Sequence, residues 1–145
     1  MIFIIVLIIL VLDQISKFLA TKFLTLNQPL PLEINFFSFT LVHNTGAAFG
    51  IFKNQGVFFI IIYVAAIVLI ISALKKNRHL KLYCFSLSLI LAGAIGNLID
   101  RVFRGYVIDF LDFHIWPVFN LADSAITIGA ILLGYSIICT PKSAE

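Results

Sequence analysis

The sequence predicts an all-α integral membrane protein: four transmembrane helices carrying a small strand-containing platform at one membrane surface. Three observations predict it. Of the 145 residues 61% are hydrophobic and 12% charged, with a mean hydropathy of +1.10, whereas soluble domains carry roughly a quarter charged residues. Four apolar stretches approach the ~20 residues that cross the hydrocarbon. Between the second and third lies "KKNRHLK", a short basic loop of the kind retained in the cytoplasm. The chain is too short for a large soluble domain beside four spans, so residues 1–145 are read as one membrane-embedded domain.

The first span, 2–20, turns polar in its last third at Asp13, Gln14, Ser16 and Lys17. It lacks a basic start and a following A-x-A site, so it is not read as a cleaved signal. The second, 57–74, is uninterrupted: "VFFIIIYVAAIVLIISAL". The third is expected at 82–99 and the fourth at 121–139. Lys75, Lys76, Arg78 and Lys81 in the intervening loop place both termini inside and put 21–56 and 101–118 outside. Lys17, Lys22, Lys53, Arg101 and Arg104 run against that asymmetry.

Loop 21–56 is too apolar for a solvated linker. Pro29 and Pro31 precede strand-like residues Phe36, Phe37, Phe39, Leu41 and Val42, and the turn-forming "HNTG" follows. An open sheet edge cannot sit in hydrocarbon. The loop is therefore expected to form a curved platform at the outer surface.

With this topology Asp13, Glu33, Asp100, Asp109, Asp112 and Asp123 converge on the outer layer, and Glu145 alone is inside. Acids in or beside spans are costly and usually face a cavity where they act, so this layer is the candidate site. Each member also has a purely structural reading. Asp13 and Lys17 are spaced as a helix-face ion pair. Asn97, Asp100 and Arg101 in "GNLIDR" share one helix face and could be a helix end with an Asp–Arg pair. Asn120 and Asp123 open the fourth helix, where capping explains one of them but hardly both.

Asp109 is enclosed in sequence by Val107, Ile108, Phe110 and Leu111, surroundings that raise a carboxyl pKa. Asp112 rivals it for the same role. Two carboxylates in unlike environments, one apolar and one at a helix N-terminus, suit an aspartic-protease dyad: one ionised as general base, the other protonated to polarise the carbonyl.

Other chemistries lack their motifs. The His residues 43, 79 and 114 are scattered without ligand spacing, so no metal or other cofactor is expected. No G-x-S-x-G or comparable nucleophile arrangement occurs. Cys84 and Cys139 are lone thiols in apolar runs, read as packing residues. The net charge of +3 is spread along the chain, which argues against nucleic acid as a partner.

Five segments also carry a family resemblance. "VLDQISK", "HNTGAAFG", "GAIGNLIDR", "GYVIDF" and "FNLADSAI" resemble, in order, the signature blocks of the lipoprotein signal peptidase (signal peptidase II) family, from about residue 11 to 130. The resemblance implies an aspartic endopeptidase of the bacterial inner membrane that cleaves prolipoproteins before a diacylglyceryl-modified lipobox cysteine. It implies Asp109 and Asp123 as the catalytic pair, and Asn44, Asn97, Arg101 and Asn120 as substrate-binding residues. Asp13 and Asp100 would support the site. It further implies an outer, periplasmic platform with strands and an interfacial helix. Lipidated prolipoproteins and membrane lipids are the expected partners of a monomer. The connection "FLDFHIWPVFNLA" is short for the family. The alternative from another class is a small proton- or ion-coupled transporter, which would hold acids near the midplane, often on duplicated broken helices.

Overall fold

In the computed structural model the described residues are 2–30, 32, 36–46 and 55–139. Pro31, Glu33, Lys53 and Glu145, all used in the topological reading, lie outside them. Four helices are long and apolar enough to cross a membrane: α1 (Ile2–Phe23), α2 (Gly56–Lys76), α3 (Lys81–Arg104) and α4 (Leu121–Cys139). Two strands, β1 (Ser38–Asn44) and β2 (Val107–Asp112), complete the described elements.

The third helix is the hub, packed against each of the others. Its most apolar window is 61% buried, against 11% for α1, 11% for α2 and 22% for α4. That difference assigns faces: α1, α2 and α4 show apolar side chains outward, while α3 carries the interior. Its buried side is rich in small residues (Ser86, Ser88, Ala92, Gly93, Ala94, Gly96), which lets neighbouring helices approach. Gly96 shows why: a Cβ there would lie 2.5 Å from an Asp13 carboxylate oxygen. A larger residue would displace the Asp13 carboxylate at the level of the polar layer.

The helix runs five residues beyond the expected end at 99 and stops at Gly105, whose φ of +80° suits glycine and whose N–H donates to Arg101 O at 3.1 Å. Asp100 and Arg101 therefore stand on its last turns rather than beyond it.

The strands form an antiparallel ribbon with Phe39 opposite Leu111 and Val42 opposite Asp109. Between these pairs β1 holds one residue more than β2, a bulge that bends the ribbon. The edges are not left open. Leu26 and Pro29 bridge to Leu41 and Thr40 on one side, and Phe119 bridges to Leu111 on the other. Ile108 and Phe110 pack with Leu41 and Ala20 at the end of α1, which seats the ribbon on the helices.

The strand at the expected position is β1; β2 was not expected. Residues 107–110 are all buried, so the two-residue alternation that marks a half-exposed strand is missing from "VIDF". "HNTG" splits between strand and bend: His43 and Asn44 end β1, and Gly46 N donates to Asn44 Oδ1 at 3.0 Å to start the turn. Among the described residues no separate interfacial helix is present.

Candidate active site

Strand alternation resolves the oddity of Asp109. Ile108 and Phe110 point into the cluster below the ribbon, whereas Val107 and Asp109 line a cavity of about 310 Å³. The same cavity is lined by Asp123 from α4, Asn97 and Arg101 from α3, Tyr63 and Phe59 from α2, Asn44, and the 116–119 turn. Its acidic members are Asp109 and Asp123.

Each carboxylate is held by amide groups. Asp109 accepts from Asn44 Nδ2 at 2.9 Å on one oxygen and from Asn120 Nδ2 at 2.7 Å on the other. Asp123 accepts from Asn97 Nδ2 at 2.8 Å and from the Asn120 backbone N–H at 3.3 Å. Asn120 in turn accepts the Asp123 N–H at 2.8 Å, a reciprocal helix cap. Its amide also donates to Asn97 Oδ1 and Ile108 O, each at 3.2 Å. One asparagine thus caps α4 and connects the two carboxyls.

Burial pushes the Asp109 carboxyl up from 3.8 to about 7, and the neighbouring Asp123 adds to the rise. The Asn44 and Asn120 amides pull the other way, as does Lys17 more distantly. Desolvation wins, so near neutrality Asp109 can hold a proton.

Below the cavity lies a fully buried cation. The Nζ of Lys17 is 2.9 Å from Asp13 Oδ2, 3.0 Å from Asp100 Oδ2 and 3.0 Å from Asn97 Oδ1. An ammonium has three donors, so all are matched. The two acids each fix a second element. Asp13 Oδ1 accepts the Ala122 N–H at 2.9 Å at the start of α4. Asp100 accepts the Ile108 N–H at 3.2 Å beside Asp109 and pairs with Arg104 at 2.7 Å. Through these contacts α1 and α3 set the positions of both strand and helix that carry the carboxyl pair.

Arg101 is arranged differently. It does not pair with Asp100, contrary to the structural reading of "GNLIDR"; its Nη2 donates to Gly46 O and its guanidinium lies 4.2 Å from the Phe59 ring centroid. Among the described residues, buried Nε and Nη1 of Arg101 find no acceptor. Donors left open in a cavity wall are suited to a ligand carbonyl. Asp112 faces elsewhere, accepting from Thr40 Oγ1 at 2.8 Å and from the His114 N–H at 2.8 Å. The turn consumes it, and it does not line the cavity.

All eight residues singled out from the sequence (Asp13, Asn44, Asn97, Asp100, Arg101, Asp109, Asn120 and Asp123) fall in this one network. Helix spacing pairs Lys17 with Asp13 but does not reveal its contact with Asn97. Tyr63, a cavity residue, is not among the residues singled out, although it sets a phenol within the apolar second span. Among the described residues no group of three or more His, Cys, Asp or Glu could hold a metal ion.

Comparison with known proteins shows the family. Residues 5–139 match the family model described as signal peptidase (SPase) II. A lipoprotein signal peptidase of Caldanaerobacter subterraneus subsp. tengcongensis is 50% identical over 128 residues, 88% of each chain. One of Halothermothrix orenii is 46% identical over 133 residues, 92% of each. A bacterial membrane enzyme solved by the in meso method at 2.3 Å resolution superposes with a TM-score of 0.90 at 31% identity, covering 99% of this chain and 93% of that one. The transporter alternative finds no support in these matches. A chain matched over nearly its whole length by the family model and by these relatives belongs to the signal peptidase II family, the lipoprotein signal peptidases.

Proposed function

We propose that this lipoprotein signal peptidase works as an aspartic endopeptidase, as one domain over 1–145, with Asp109 and Asp123 sharing a single proton. The supporting observation is that both carboxyls line one cavity while unlike surroundings hold them: Asp109 on a buried strand, Asp123 at a helix N-terminus. Ionised Asp123 accepts a proton from water as the oxygen attacks the scissile carbonyl. Asp109, protonated, donates to the carbonyl oxygen as charge develops there. The proton on Asp123 then passes to the leaving nitrogen, the C–N bond breaks, and Asp109 recovers its proton from the collapsing diol. No metal or other cofactor enters.

Asn44, Asn97, Arg101 and Asn120 bind and orient the substrate, and Asp13 and Asp100 support them. The substrate is a prolipoprotein cut before a diacylglyceryl-modified cysteine in the bacterial inner membrane. Both termini face the cytoplasm and the site lies near the periplasmic face. The monomer meets its substrate through the surrounding membrane lipids. Each buried methylene contributes roughly 0.8 kcal/mol, so two acyl chains anchor the precursor at the depth of the pair.

The test is cleavage of a lipidated precursor followed by mass spectrometry, beside the same precursor unmodified or with its lipobox Cys changed to Ser. The diacylglyceryl form should be cut far faster at equal membrane concentration. Equal rates would make the enzyme a general intramembrane peptidase.

A further inference from the structure

At the end of the bundle opposite the carboxyl pair, α1, α2 and α3 enclose a second cavity of about 710 Å³. Its walls are apolar: Ile2, Phe3 and Val6 from α1, Ile71 and Leu74 from α2, and Cys84, Leu91 and Ile95 from α3. Its rim is cationic, formed by Lys75, Arg78 and Lys81. Nothing in the peptidase reaction uses it.

Among the described residues no acid faces this rim. The acids among the described residues are Asp13, Asp100, Asp109, Asp112 and Asp123, and their contacts tie them to the opposite layer. No ion pair among the described residues involves Lys75, Lys76, Arg78 or Lys81. An apolar slot between membrane helices, closed at its floor by buried Leu74, Cys84 and Leu91 and ringed by unpaired cations, matches one molecule of divided character. We infer that this cavity binds a single anionic phospholipid, its acyl chain between α1 and α2–α3 and its headgroup phosphate against Lys75, Arg78 and Lys81. Basic pockets between membrane helices recognise anionic headgroups in this way. A phospholipid is favoured over a protein partner because the slot opens between apolar helix faces, where lipid chains are the surrounding medium.

A general attraction of basic loops to anionic membranes would not distinguish the rim from its neighbours. Here Lys76 provides the contrast, since it belongs to the same run yet does not line the cavity. The experiment is native mass spectrometry of the full chain released from bilayer discs holding equal parts phosphatidylglycerol and phosphatidylcholine. The wild type should keep one phosphatidylglycerol in clear preference. Lys75→Gln, Arg78→Gln and Lys81→Gln should each weaken retention roughly fivefold, whereas Lys76→Gln should not. Val6→Trp keeps every charge but fills the slot, and should also release the lipid. Free glycerol phosphate should not compete, because it lacks the chain. All variants should still cleave precursor, which certifies their fold. Equal retention of both lipids by the wild type would overturn the inference. So would loss in Lys76→Gln equal to that in Lys75→Gln, full retention in Val6→Trp, or displacement by glycerol phosphate. Capture of a protein in place of lipid would overturn it as well.

Discussion

Asn120 and Asp123 hold each other at the first turn of α4: the Asp123 N–H donates to Asn120 Oδ1 at 2.8 Å, and the Asn120 N–H donates to Asp123 Oδ2 at 3.3 Å. The cap that begins the helix is thus also the clamp on one carboxyl. Because the Asn120 amide reaches Asp109 Oδ1 at 2.7 Å, the same side chain positions the other. Capping and contact with the carboxyl pair, which compete as explanations in the sequence, are one arrangement.

The two roles separate by substitution. Asn120→Ser keeps a capping oxygen but loses the amide donor to Asp109, Asn97 and Ile108, so it should be more stable than Asn120→Ala while kcat falls by an order of magnitude or more. Asn120→Ala should lose activity as well and cost about 1 kcal/mol of stability for the cap. Denaturation in detergent beside initial cleavage rates checks both. Full activity in Asn120→Ser would show that the bridge to Asp109 is idle.

Lys17 should matter more to folding than its place on a membrane helix suggests. Removing it leaves buried Asp13 without a cationic partner and Asp100 with Arg104 alone, a loss of about 3–5 kcal/mol. Lys17→Met is expected to lower the unfolding midpoint steeply, and Lys17→Met with Asp13→Asn and Asp100→Asn to recover part of it. Additive losses in the triple variant would contradict a mutually compensating cluster.

Acid–base behaviour follows from Asp109. Its carboxyl, raised to about 7, holds its proton below that pH and loses it above, so cleavage should decline as pH rises through about 7. Apparent values belong to the coupled pair. The nearby Asp123 charge contributes to the rise, so Asp123→Asn should move the Asp109 titration downward. Infrared difference spectra of the carboxyl stretch, assigned with Asp109→Asn, report it. An upward or absent shift would deny that the two groups sense each other.

Orientation has its own test. Single cysteines at Gln28 and Asn77 in a Cys84→Ala, Cys139→Ala background should differ toward an impermeant thiol reagent added to intact spheroplasts. Gln28 should label and Asn77 should stay protected. The reverse pattern would set the carboxyl pair on the cytoplasmic side.

Much of this was legible in the sequence because membrane physics makes polar residues conspicuous. Asp13, Asp100 and Asp123 stood out against apolar helices, and the start and end of α4 were readable from composition. Asp109 could be flagged but not placed, since its apolar neighbours hide the face it turns to; the pairing of Val42 with Asp109 supplies that. The strand around it escaped for the same reason, being buried on both sides. Lys17 could be paired with Asp13 by helix spacing, whereas its contacts with Asp100 and Asn97 depend on how α1 packs on α3. The room for the Asp13 carboxylate in that packing comes from the missing side chain of Gly96, which no periodicity reveals.

On the proposed mechanism Asp109 and Asp123, and not Asp112, carry the reaction. Cleavage of a diacylglyceryl-modified precursor by the three Asn variants, followed by mass spectrometry at matched membrane abundance, decides it. Asp109→Asn and Asp123→Asn should each leave the precursor intact, because an amide cannot take up water's proton or hold one to give. Asp112→Asn should process it at close to the wild-type rate, its partners being Thr40 and His114 in the turn. Processing by Asp109→Asn together with failure of Asp112→Asn would contradict the assignment.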